Sequence, residues 1–239
     1  MKNDVWFPGQ QSDQPLGIHQ RTDELYQIPS MEEDENGEFE CMAIILRELV
    51  IFPKMVTPIF VTPGINQNSI AEAHYRFETI IALYVDEENT EENVTDFLPI
   101  ATEVAVGRLL AMPDGNHSAL LQGRRRVELI EILQQEPLLK VRVKVVKEND
   151  KVDRKSKALI RTSLDLFEKC VHLDRSLPEE AHLFAVNIQE PSWLSDMISS
   201  AISLPLNVRQ KLLLCTDPKD RLKILNQILA QELDVLELE

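Results

Sequence analysis

The stretch MAIILRELVIFPKMVTPIFV (Met42–Val61) is dense in Ile, Val and Phe and is interrupted by Pro53 and Pro58. Proline removes a backbone donor and clashes inside a helix, so a continuous helix is excluded. What remains is two short strands separated by an extended, proline-containing bend. Downstream, NSIAEAHYRFETI (Asn68–Ile80) spaces its apolar residues three and four apart, which predicts an amphipathic helix started by Asn68 or Ser69. IIALYV (Ile80–Val85) predicts a buried strand. DEENTEENVTD (Asp86–Asp96) predicts a solvated loop, because no core holds so many adjacent carboxylates.

A hairpin follows. IATEVAVGRLLAMP (Ile100–Pro113) and HSALLQGRRRVELIEIL (His117–Leu133) flank PDGN (Pro113–Asn116), whose proline and glycine supply the backbone angles of a tight turn. LLKVRVKVVKE (Leu138–Glu148) alternates basic with apolar residues, as a strand with one wet face does. Beyond Asp150 the period changes to that of helices. Leu159, Leu166, Phe167, Cys170 and Val171 form one stripe, and Leu222, Leu225, Leu229, Leu233 and Leu236 form another. Pro178 and Pro191 punctuate the segments between, and Asp217-Pro218 reads as an N-cap followed by a first-turn proline. The last stripe runs to the end of the sequence without a glycine cap, which suggests a truncation or a missing partner. The fold class is α+β, with an acidic and largely disordered leader (1–40), a mostly antiparallel β-domain with one helix (41–148) and a helical bundle (149–239).

The formal net charge is -15 over 239 residues, and more than half of it lies in the leader. An acidic surface repels polyanions, so nucleic acid is not an expected partner. No window holds the roughly 18 apolar residues of a membrane span. The start, MKNDVWFPGQQ, lacks the charged and apolar regions of a secretory signal. Cys41, Cys170 and Cys215 are few, distant and odd in number, which fits buried thiols in the cytoplasm better than disulfides or zinc. Within the leader, Val5-Trp6-Phe7-Pro8 is one apolar spot, suited to local packing or to a partner.

Catalytic signatures are absent. There is no phosphate loop, dinucleotide-binding turn, nucleophile elbow or zinc-protease helix, and seven glycines leave little for a nucleotide cradle. No catalytic, cofactor or metal residues are assigned. The triplet Arg124-Arg125-Arg126 is the one concentrated cationic feature. Strand neighbours alternate sides, so the triplet splits between faces, and Glu128 and Glu131 follow at once. Stacking aromatics, which a nucleic-acid groove would need, do not accompany it.

Taken together, LRELVIFPKMVTPIFV, the apolar strand after the helix, VAVGRLLAMPDG and LLQGRRRVELI resemble the amino-terminal domain of the ATP-dependent Lon protease family. The matching positions are Leu46-Arg47, Val50-Ile51-Phe52-Pro53, Pro58, Phe60-Val61, Pro113-Asp114-Gly115, and Gly123 with Arg126. In the helical half, LPLNVRQKLL and DPKDRLKILNQILAQELDVLELE resemble the family's LPL and D-x-x-x-RL segments. Lys54 departs from the pattern, standing where the family often has glycine. Similarity covers residues 41–239 and stops before any ATPase or protease module.

The resemblance implies a PUA-like β-domain and a helical bundle that recognise unfolded or damaged substrate proteins and support assembly with other Lon-type subunits, without cofactor or catalysis. A truncated ATP-dependent serine protease and an RNA-binding PUA-like protein are the alternative readings. Recognition of unfolded chains needs exposed apolar surface. Phe52, Pro53, Met55, Pro58 and Met112 are the candidate protein contacts, with core packing as the competing role. Gly123 and Arg126 are expected to be structural, the glycine at a bulge or close approach and the arginine anchored. Arg124 and Arg125 are then expected as surface charge.

Overall fold

The computed structural model describes residues 25–61, 64–85, 97–107, 110–111 and 117–237. They fall into two compact units, one through Val146 and one from Lys147 onward.

Among its described residues the first unit holds a seven-stranded mixed sheet, one full helix and a helical turn at residues 25–27. Its strands are β1 (Glu38–Leu46), β2 (Val56–Val61), β3 (Thr79–Tyr84), β4 (Ile100–Val106), β5 (Leu110–Ala111), β6 (His117–Gln134) and β7 (Lys140–Val145). β1 and β3 run parallel, and every other pairing is antiparallel. A parallel pair needs a crossover, and here it contains β2 and helix α1 (Ile65–Arg76). The 18-residue β6 pairs with β2 and β5 through its first half, with β4 through its middle and with β7 beyond. Since β7 also pairs with β1, the ring β1-β3-β4-β6-β7 closes on itself. Alternate residues point inside: Phe39, Cys41 and Ala43 from β1, Ile81 and Leu83 from β3, Val141 and Val143 from β7. Val127, Ala101 and Leu139 complete this core.

α1 starts earlier and ends earlier than its apolar spacing predicts. Gly64, at φ 139°, supplies an entry that side-chain-bearing residues resist, in place of a cap by Asn68 or Ser69. Asn66 is drawn into the helix because its amide bonds both backbone groups of Ile45, at 2.9 and 2.8 Å. Phe77 turns left-handed (φ 57°) and stops the helix, which frees Ile80 for β3. The 113–116 turn and the 86–96 loop lie outside the described residues.

The leader differs from the expected disorder over its last part. Leu25 and Ile28 are buried and β1 begins at Glu38, so residues 25–40 belong to the β-unit. Residues 1–24, with the Val5–Pro8 spot, lie outside the described set.

The second unit contains α2 (Arg154–Leu173), α3 (Glu180–Ala185), α4 (Pro191–Ala201), α5 (Leu206–Leu214) and α6 (Pro218–Leu236). α2 packs on α6 through the predicted stripes: Phe167, Cys170 and Val171 are buried against a row with Leu222, Leu225, Leu229 and Leu233. α4 is almost wholly buried despite its serines. Ser195, Ser199 and Ser200 return their hydroxyls to backbone carbonyls three or four residues back, so no hydroxyl proton is left unpaired.

Candidate functional site

The bend inside Met42–Val61 is the point on which the β-unit turns. Ile51 N–H donates to Tyr84 Oη at 3.1 Å, Tyr84 Oη lies 3.0 Å from Thr102 Oγ1, and Thr102 Oγ1 donates to Ile51 carbonyl oxygen at 2.8 Å. That small ring of bonds satisfies four buried polar groups, and burial pushes the Tyr84 hydroxyl up to about 12. One turn later, Lys54 N–H donates to Gly123 O at 2.8 Å and Gly123 N–H donates to Met55 O at 2.9 Å. The two backbones meet so closely that a Cβ on Gly123 would stand 2.1 Å from Phe52 O. Only glycine fits there.

This geometry decides the candidate contacts. Phe52, Pro53 and Met55 are buried in the clamped bend, so they are core and not contact surface. Met112 lies outside the described residues. Pro58 is exposed on β2, and two residues on, Phe60 is 76% exposed, which the sequence reading passed over. The signal was present in the alternation: Ile59 and Val61 point inward, so Pro58 and Phe60 point out. Directly opposite on β6 stand Leu120 and Ser118, both partly exposed, and beyond Ser118 stands Leu110 of β5. Direct partners share a sheet face. Pro58, Phe60, Leu110 and Leu120 therefore form one apolar surface on the arm that extends from the closed ring. Among the described residues β2 pairs only with β6, and Pro58 removes a donor from that edge. Tyr75 and Phe77, at the end of α1, are further exposed aromatics.

The arginine triplet is rearranged by a bulge. Glu103 pairs with Arg125 and Val104 with Gly123, leaving Arg124 as the extra residue between them. Arg126 is fully buried. Contrary to the expectation of surface charge, Arg124 and Arg125 are both engaged. Arg124 Nη2 donates to the carbonyls of Leu25 (2.5 Å) and Ile28 (2.7 Å), and burial lowers its pKa. Arg125 donates to Glu103 (2.6 Å), to Glu33 (2.9 Å) and to Met31 O (2.6 Å), and its guanidinium lies 5.3 Å from the centre of the Phe39 ring.

Glu103, fully buried, was also missed. It accepts from Arg125, from Thr79 Oγ1 (2.6 Å) and from Met31 N–H (2.7 Å). Its signal was a lone carboxylate in the apolar run IATEVAV, since a buried charge requires partners.

In the helical unit the corresponding group is Arg221, with no exposed side-chain surface. It reaches Glu148 (2.6 Å), Cys215 O (2.6 Å), Ser195 Oγ (2.8 Å) and Asp196 (3.4 Å). A cleft of about 730 Å³ on this unit is lined by Val152, Ile160, Leu164, Val186 and Ile188, with Lys157, Arg161, Glu168 and His182 among its polar groups. No group of three or more His, Cys, Asp or Glu among the described residues is placed to hold a metal ion. Cys41 and Cys170 are buried thiols raised by that burial, Cys170 to about 11, while Cys215 is partly exposed. None of the described helices is long and apolar enough to cross a membrane.

Comparison with known proteins gives a consistent answer. The family of the ATP-dependent protease La (LON) substrate-binding domain matches residues 40–231. Lon protease 2 of Herpetosiphon aurantiacus is 34% identical over 201 residues, covering 84% of this chain and 25% of that protein. Lon protease of Heliobacterium modesticaldum is 33% identical over 195 residues, covering 81% and 24%. The chain thus spans about a quarter of the length of these relatives. Among solved structures, the N-terminal domain of the Mycobacterium avium complex Lon protease superposes with a TM-score of 0.67 at 19% identity, covering 80% of this chain and 98% of that one. A Lon N-terminal domain protein from Xanthomonas campestris gives 0.57 at 16%, with the same coverages. At those identities the superpositions speak for the fold alone, while the match across residues 40–231 carries the kinship: this chain belongs to the Lon substrate-binding domain family.

Proposed function

We propose that this chain is a non-catalytic module that recognises unfolded or damaged proteins and supports assembly with Lon-type subunits. The observation that carries the reading is the apolar row of exposed Pro58 and Phe60 with partly exposed Leu110 and Leu120, on a domain of this family. An unfolded chain offers apolar side chains without a fixed shape, and a flat apolar strand face meets that need better than a polar cleft. The engagement of all three arginines within the chain argues against phosphate binding, so RNA is not an expected partner. The free cysteines support a reducing compartment, the cytoplasm.

The test is capture of reduced, carboxymethylated α-lactalbumin by the purified chain, read by fluorescence anisotropy. Phe60→Asp places a charge in the middle of the row and is expected to weaken capture by about tenfold, or ~1.4 kcal/mol. Because Phe60 is exposed, the fold should persist. A folded Phe60→Asp chain with undiminished capture removes this face from the account.

A further inference from the structure

Residues 25–33 lie across the β-unit as a strap, and they are held in an unusual way. Four of the bonds that fix them join protein side chains to the strap's main chain: Arg124 to the carbonyls of Leu25 and Ile28, Arg125 to that of Met31, and Glu103 to the Met31 N–H. One further bond, Arg125 to Glu33, uses a strap side chain. The remaining fixation is apolar, through the fully buried Leu25 and the nearly buried Ile28, spaced three apart. A side chain at Gly107 would meet Leu25 Cδ2 at 3.3 Å and Leu120 Cβ at 3.4 Å, so the Leu25 seat adjoins the row that carries Pro58 and Phe60. Main-chain bonds of this kind read any sequence, and two apolar seats add only a mild preference. Those are the properties a receptor for unfolded polypeptide requires.

We infer that the strap fills a peptide-binding groove, floored by Arg124, Arg125 and Glu103, that takes polypeptide entering through one helical turn, like that of residues 25–28, with apolar side chains at positions i and i+3. The inference rests on the proposed substrate-recognition role and gives it a second, regulated seat continuous with the Phe60 face. In this arrangement the strap is a tethered competitor. The apparent affinity for an incoming chain is lowered by the fraction of time the strap is seated. Ile28 closes the helical turn by donating its N–H to Leu25 O at 3.2 Å, and Pro29, which follows it, ends the turn and favours extended backbone beyond it.

Two probes test this on the whole chain: a fluorescein-labelled peptide with the sequence of Leu25–Glu33, LYQIPSMEE, and reduced carboxymethylated α-lactalbumin. In the double variant Leu25→Asp/Ile28→Asp the strap loses its seats. That variant should bind the labelled peptide about tenfold or more tightly than the parent chain, and adding Arg124→Ala should remove the gain. If the double variant lacks a cooperative melt, the parent is cut instead at a protease site inserted in the turn 34–37. The cut chain should then exchange its own strap for labelled peptide present in excess. Peptide binding that is unchanged by release, or by Arg124→Ala in the released chain, overturns the groove, as does a cut chain that takes up no peptide. α-Lactalbumin captured equally by parent and released chains also sinks the groove and leaves the Phe60 face standing. Tight peptide binding with no capture of α-lactalbumin keeps the groove and sinks the wider recognition role.

Discussion

Gly123 and Lys54 are joined by a backbone hydrogen bond of 2.8 Å where β6 closes on the bend, and they respond to substitution in opposite directions. A methyl group on Gly123 would be driven against Phe52 O, which is backbone on a bend pinned by four hydrogen bonds and has nowhere to go. Gly123→Ala should therefore cost about 3 kcal/mol or more in chemical unfolding. Lys54, at φ 63°, sits in the left-handed region without the freedom of glycine. Lys54→Gly should leave the fold unchanged and raise stability by roughly 0.5–1 kcal/mol. A stable Gly123→Ala chain would show that the bend yields, and a destabilised Lys54→Gly chain would show that lysine's side-chain contacts outweigh its strain. The family's frequent glycine at this position, evident as a departure in the sequence, thus has a backbone cause.

At the scale of elements, the starts of α2 and α6 are set by carboxylates. Asp153 caps α2 by accepting from Ser156 N–H at 2.8 Å, and its other oxygen takes Lys219 Nζ at 2.7 Å. Chiefly the lysine, then the serine, holds this carboxyl well below its ordinary 3.8. A depressed folded pKa contributes stability above the unfolded value, and that contribution is lost as pH falls through the folded one. The stability difference between the parent and Asp153→Asn should therefore be steady above about pH 5 and shrink progressively as pH falls below about 4. A difference that stays constant down to pH 2 would contradict the assignment.

Asp217, which accepts from Lys219 and Asp220 N–H, was legible as a cap in Asp217-Pro218 because capping is local chemistry. α2 and α6 were legible for a similar reason, their stripes repeating over several turns. What escaped the sequence depended on distant partners. The bulge at Arg124 arises only where β6 meets β4, so the strand pattern could not show that Arg124 and Arg125, expected as surface charge once Arg126 is the anchored arginine, are both held within the chain. Phe52, Pro53 and Met55 looked like adaptable contacts until the approach of Gly123, some 70 residues on, closed the bend over them.

For the whole molecule, the distribution of function follows from what each unit leaves exposed. The β-unit spends its buried charges on its own structure, with Glu103 held by Arg125, Thr79 and Met31. The helical unit does the same with Arg221. Neither arrangement presents a reactive group to a substrate. The net charge of -15 adds repulsion between copies of the chain while apolar residues remain exposed on the β2–β6–β5 arm. The most direct measurement is a titration of the isotope-labelled chain with reduced, carboxymethylated α-lactalbumin, followed residue by residue by NMR. The proposed role predicts shifts centred on Phe60, Ser118 and Leu120; shifts confined to residues 147–237, or none at saturating ligand, would contradict it.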